Sequence, residues 1–224
     1  MAGRCLIARP KIIVVTTEPD FWTPGAFRLF ICHISEHKDY ARALQRALTR
    51  FHVSSFVAHH DITPTLEWQN EIELALSTAD ALVALLTPGF HRSFWTDQEV
   101  GFAMGRGRLA VAVRLGESPY GFMAKLQAFQ GDGRTQGEVA EQMFAAFVRN
   151  DRTKKEMAHA VVRGFEGSYS FANGKFNLGL LERLNYWEAA FGERIEHTIR
   201  GNNQLVDYVP SKARKVIEKW SRVG

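Results

Sequence analysis

Apolar and polar positions fall into alternating blocks from Phe27 onward. Phe27 to Ile31 (FRLFI) is a short apolar run that predicts a strand. Asp39 to Phe51 carries apolar residues at Tyr40, Ala43, Leu44, Ala47, Leu48 and Phe51, the three-to-four spacing of an amphipathic helix. Val53 to Val57 predicts a second strand. Leu66 to Thr78 predicts a second helix, with Trp68, Ile72, Ala75, Leu76 and Ala79 on one side. Ala81 to Leu86 (ALVALL) is apolar throughout, as in a central parallel strand covered on both faces. A short helix over Phe94 to Met104, a strand over Leu109 to Arg114, a weaker strand over Leu126 to Gln130 and a closing helix over Gln136 to Val148 complete the series.

Strands alternating with helices imply βαβ units, right-handed crossovers and a parallel sheet. Five strands in this span suit a flavodoxin-like, doubly wound α/β fold of order 2-1-3-4-5. Such sheets bind ligands at the C-terminal ends of the strands, where the order reverses. That rule selects two loops, Cys32–His33–Ile34–Ser35 after the first strand and Thr87–Pro88–Gly89–Phe90 after the third. The second loop leads into the helix that carries Trp95 and Glu99.

The flanks differ. Residues 1–26 read as an irregular leader punctuated by Pro10, Pro19 and Pro24, with Phe21 and Trp22 as anchors packing on the domain. Residues 27–150 form the α/β domain. Residues 151–224 form a helical C-terminal extension, with helices expected over Glu156 to Phe165, Phe176 to Arg200 and Ser211 to Arg222. Pro210 and several Gly and Asn residues act as separators. Leu180, Leu184, Trp187, Phe191 and Ile195 form a row that could seek a partner or pack on the domain.

Hydrophobic residues make up 46% of the 224 and charged residues 23%, which excludes wholesale disorder. The net charge of +4 lies wholly in the extension, since residues 1–150 balance fifteen Lys/Arg against fifteen Asp/Glu. No dense basic stripe stands out, and nucleic-acid binding is not expected. Cys5 and Cys32 do not form a CxxC pair, so a reducing cytoplasmic setting is expected. No apolar run has the length of a membrane span. GxGxxG, Walker A and GxSxG motifs are absent, and the first strand does not end in paired aspartates. His59, His60 and Asp61 lack partners at ligand spacing and read as a polar loop, so no metal is expected.

Three segments carry a family likeness: Phe30 to Asp39 (FICHISEHKD), Asp61 to Ile72 (DITPTLEWQNEI) and Ser93 to Gly101 (SFWTDQEVG). In this order and spacing the chain resembles a bacterial TIR (Toll/interleukin-1 receptor) domain over about residues 27–150. Two positions depart from the family pattern: Cys32 replaces a serine, and Thr65 replaces the glycine after Pro64. The resemblance implies cleavage of the nicotinamide–ribose bond of NAD+, with NAD+ as substrate and no cofactor, in bacterial anti-phage defence. It gives Glu99, the last residue of W-x-x-x-E, the catalytic role. Cys32, His33, Ser35, Trp68 and Trp95 are the expected substrate-binding residues. It further implies a homo-oligomer formed through TIR–TIR contacts, and an effector or sensor partner met through the C-terminal helices. The competing expectation is a TIR scaffold that works by association without catalysis.

For several of these residues a structural role competes with the functional one. His33 could instead cap the first helix, Ser35 could be its first-turn residue, and Trp68 could be a core residue.

Overall fold

The computed structural model describes residues 19–58, 66–206 and 208–222. The segment His59 to Thr65, with its Thr65 departure and the His59–His60–Asp61 run, lies outside them, as do residues 1–18 with Cys5.

Five parallel strands form one sheet in the order β2-β1-β3-β4-β5. They are β1 (Phe27–Cys32), β2 (Val53–Val57), β3 (Ala81–Leu86), β4 (Leu109–Arg114) and β5 (Ala128–Gln130). β3 is buried at every position, which explains its unbroken apolar run. The two-residue period of the strands sorts their side chains between two cores. Phe27, Leu29 and Ile31 of β1, Val83 and Leu85 of β3, and Val111 and Val113 of β4 face one core. It is covered by α1 (Lys38–Thr49), α4 (Gln136–Phe147) and α5 (Lys154–Glu166). Phe30, Cys32, Leu82, Ala84, Leu86, Ala110 and Ala112 face the other, under α2 (Leu66–Thr78) and α3 (Thr96–Gly105). Trp22 packs into this second core, and its indole N–H donates to Thr78 Oγ1 at 2.9 Å.

Several boundaries differ from the sequence expectation. The fifth strand is only three residues, because Gly121–Lys125 takes a 3-10 turn just before it. The helix expected from Phe94 starts at Thr96, with Trp95 as its N-cap residue. The long helix expected over Phe176 to Arg200 is two helices, α6 (Phe171–Leu181) and α7 (Ala189–Gly201). The apolar row continues across the joint because Leu184 is buried there in a loop, so spacing alone does not reveal the break. Glu188 then takes an extended conformation ahead of α7, tied to Tyr186 and His159. Pro210 does not separate elements. It sits in the first turn of α8 (Tyr208–Ser221), where a helix needs no N–H from it.

Leu180, Leu184, Phe191 and Ile195 lie inside the chain's own core, so these four of the row pack inward, while Trp187 is half-buried and stacks on Trp220. The extension shares that core with the sheet: Met157, Val161 and Phe165 of α5 join the cluster of β1 and α4. Close approach at this junction requires Gly164, where a Cβ would fall 2.1 Å from the His52 ring. His52 in turn pairs through Nε2 with Asn177 Oδ1 at 2.9 Å, and the Asn177 amide donates to Gly164 O and Ser168 Oγ. Buried polar groups at this end are therefore hydrogen-bonded to one another.

Candidate active site

The β1 and β3 loops leave the sheet side by side at the point of order reversal. Cys32 ends β1 fully buried, and its thiol approaches Thr96 O at 3.6 Å in the first turn of α3. After β3, Gly89 adopts φ +92°, a left-handed conformation that glycine takes without strain. A 3-10 turn, Phe90–Arg92, follows. The buried Thr96 hydroxyl donates to Phe90 O at 2.7 Å and fastens this turn to α3. The α3 start is held from a third direction by Tyr120, whose hydroxyl donates to Asp97 at 2.5 Å. Burial and the Asp97 carboxylate both push the Tyr120 phenol upward, so it stays protonated as the donor.

Glu99 lies one turn into α3, its N–H donating to Trp95 O at 2.9 Å. Only 2% of the residue is exposed. Burial disfavours the charged form and raises its carboxyl to about 8, while the neighbouring Cys32 thiol, as a weak donor, pulls the other way. Burial, reinforced by Glu99, also lifts the Cys32 thiol well above its ordinary range. At neutral pH the pair is therefore mostly carboxylic acid beside thiol, with no thiolate nucleophile.

The other expected residues divide into two sets. Trp68 and Trp95 meet edge to face, with ring centroids 5.2 Å apart at 89°. Trp68 is 8% exposed and belongs to the second core, whereas Trp95 is half-buried and reaches the surface. His33 is buried, with Nδ1 3.2 Å from Ile31 O. A carbonyl only accepts, so Nδ1 carries the proton. Neither the turn after β1 nor α1 has a side-chain cap, so His33 is not a helix cap. Ser35 opens the 3-10 turn Ser35–His37, and its carbonyl accepts from Lys38 N–H.

Ser35 and Trp95 both line a groove of about 630 Å³ between the two loops. Glu36 and His37 share the first bank, and Arg92 and Ser93 the second. No sequence pattern singles out His37, Arg92 or Tyr120. Tyr120 and Asp97 lie 23 residues apart, so no local pattern joins them. A larger cavity, of about 900 Å³, lies between α7 and α8, beside Trp187 and Trp220. Of its two carboxylates, Glu193 and Glu196, the second is engaged by Arg214 and Arg200. Among the described residues no group of three or more His, Cys, Asp or Glu could hold a metal ion, and no helix is long and apolar enough to cross a membrane.

The sequence profile of the TIR domain matches residues 29–144. No curated protein matches the chain. The crystal structure of the TIR domain of the Toll-related receptor TRR-2 from the lower metazoan Hydra magnipapillata is similar, with 20% identity and a TM-score of 0.43. The match covers 55% of this chain and 98% of that one. With the family profile spanning more than half of its length, the chain belongs to the TIR domain family.

Proposed function

We propose that the chain cleaves the nicotinamide–ribose bond of NAD+, with Glu99 as the catalytic carboxyl. The observation that carries this reading is a buried carboxyl with a raised pKa at the sheet's ligand-binding end, one helix turn from a surface tryptophan. Nicotinamide is a cationic leaving group. As its bond to C1′ breaks, it takes the bonding pair and departs neutral, and positive charge develops on C1′ and the ring oxygen. A carboxylate held beside that sugar stabilises the charge most in the transition state. Water then bonds to C1′ and releases a proton to solvent, giving ADP-ribose. Attack by a group of the substrate itself gives a cyclic ADP-ribose.

Glu99 must be ionised to act this way. The positive pyridinium of NAD+ favours the charged form when it binds, so binding releases the proton that burial retains. Glu99 lies beneath the surface at rest, and NAD+ reaches it only after the residues above it shift. That is the resting state of a latent enzyme, opened by self-association of TIR domains or by a partner. By resemblance, such an enzyme acts in bacterial anti-phage defence, depleting NAD+ or making an ADP-ribose signal.

The test is incubation of the full chain with NAD+ over a range of protein concentrations, with products separated by chromatography and identified by mass. NAD+ loss that grows faster than protein concentration, and that is absent in Glu99→Ala, is expected. Equal NAD+ loss with Glu99→Ala would overturn the assignment.

A further inference from the structure

Beyond the sugar chemistry of Glu99, the adjoining groove has a chemistry of its own. At about 630 Å³ it has room for more than a ribose. Its two banks carry side chains able to donate, Ser35 and His37 after β1 and Arg92 and Ser93 after β3. Trp95 joins this groove to the proposed catalytic carboxyl, since it lines the groove while its carbonyl accepts the Glu99 N–H.

We infer that this groove binds the diphosphate of a dinucleotide, with Arg92 as its main charged contact. The inference rests on the NAD+ reading and names a second part of the same substrate. A diphosphate presents several anionic oxygens, and a guanidinium fork matches two of them at once. Arg92 is exposed, and among the described residues no carboxylate lies within ion-pair distance of it. Its backbone is fixed in advance. Arg92 N–H donates to Gly89 O at 2.9 Å, Ser93 N–H donates to Phe90 O at 3.3 Å, and the Thr96 hydroxyl holds Phe90 O. Little ordering of the main chain remains for the ligand to impose. The imidazole of His37 and the hydroxyls of Ser35 and Ser93 complete the donor set.

Glu36 opposes this arrangement from the first bank. As an exposed carboxylate it repels an anion, and solvent screens that repulsion. Its removal therefore tightens the same ligand that removal of Arg92 weakens. These opposite signs separate a charge contact from general damage to the loop.

The experiment is calorimetric titration of the full chain with ADP-ribose, which carries the diphosphate without the cleavable bond. Arg92→Gln is expected to weaken binding by roughly tenfold or more. Arg92→Lys should recover part of the loss, and Glu36→Gln should tighten binding severalfold. Raising the salt concentration should weaken the wild type more than Arg92→Gln. Unchanged affinity in Arg92→Gln, or no binding of ADP-ribose to the wild type, would overturn the inference. Failure of the NAD+ reading is seen separately. In that case ADP-ribose binds in an Arg92-dependent way while NAD+ is never consumed.

Discussion

Two buried carboxyls mark the two ends of the sheet, and their surroundings differ. Asp80 precedes β3 at the N-terminal end. It accepts the Arg28 backbone N–H at 2.9 Å, Nε at 3.2 Å and Nη2 at 2.6 Å. This carboxylate is gripped by a full set of strong donors and ties β1 to β3. Glu99 lies at the C-terminal end, buried more deeply still, beside a thiol, which is a weak donor. Burial dominates there and holds the group near neutrality. The first carboxyl supports the fold. The second burdens it, and groups of that kind are found where chemistry needs them.

The largest expected effect sharpens this contrast. Glu99→Ala should lower the rate of NAD+ cleavage by about 10³-fold or more, read as nicotinamide release, with the circular dichroism of the fold retained. Asp80→Ala should do the reverse. Its loss leaves the Arg28 N–H and guanidinium without this acceptor, costing about 3 kcal/mol of stability by denaturant melt. Equal stability loss in the two variants would break the comparison.

The next effect is on stability against pH. The pKa of Glu99 in the folded chain, about 8, lies above the ordinary value of 4.5 expected in the unfolded chain. As pH rises through 4.5 the unfolded chain ionises first, so the folded state loses stability between about pH 4.5 and 8. Glu99→Gln removes that penalty. It should melt several degrees above the wild type at pH 7.5, and the gap should close near pH 4.5. Glu99→Gln melting below the wild type at pH 7.5 would count against the raised pKa.

The smallest effect concerns Cys32. Its thiol favours the charged form of Glu99, so Cys32→Ala should move the pH profile of activity upward by a fraction of a unit. Cys32→Ser, with a stronger donor, should move it downward. Profiles that coincide would show that the thiol does not tune the carboxyl.

The sheet was legible in the sequence because its signals are local. β3 is apolar on both faces, α1 carries a regular stripe, and each strand lies next to its helix in the chain. The order reversal between β1 and β3 then located Glu99, Cys32 and Ser35 without any contact information. The split between α6 and α7 was not legible, because Leu184 is buried within a loop and continues the helical spacing. Nor were Arg92 and His37, whose importance lies in facing one groove from two loops far apart in the chain. His33 also needed the structure, since its hydrogen bond to Ile31 O depends on how the chain turns out of β1.

The role of Glu99 is tested most directly by the pH dependence of kcat/KM for NAD+ between pH 6 and 9.5, in the wild type and in Glu99→Gln. The wild-type rate is expected to rise with pH through an apparent pKa of about 8, as Glu99 ionises in the free enzyme, with no measurable rate in Glu99→Gln at any pH. A flat wild-type profile, or a Glu99→Gln enzyme with the same rising limb, would contradict that role.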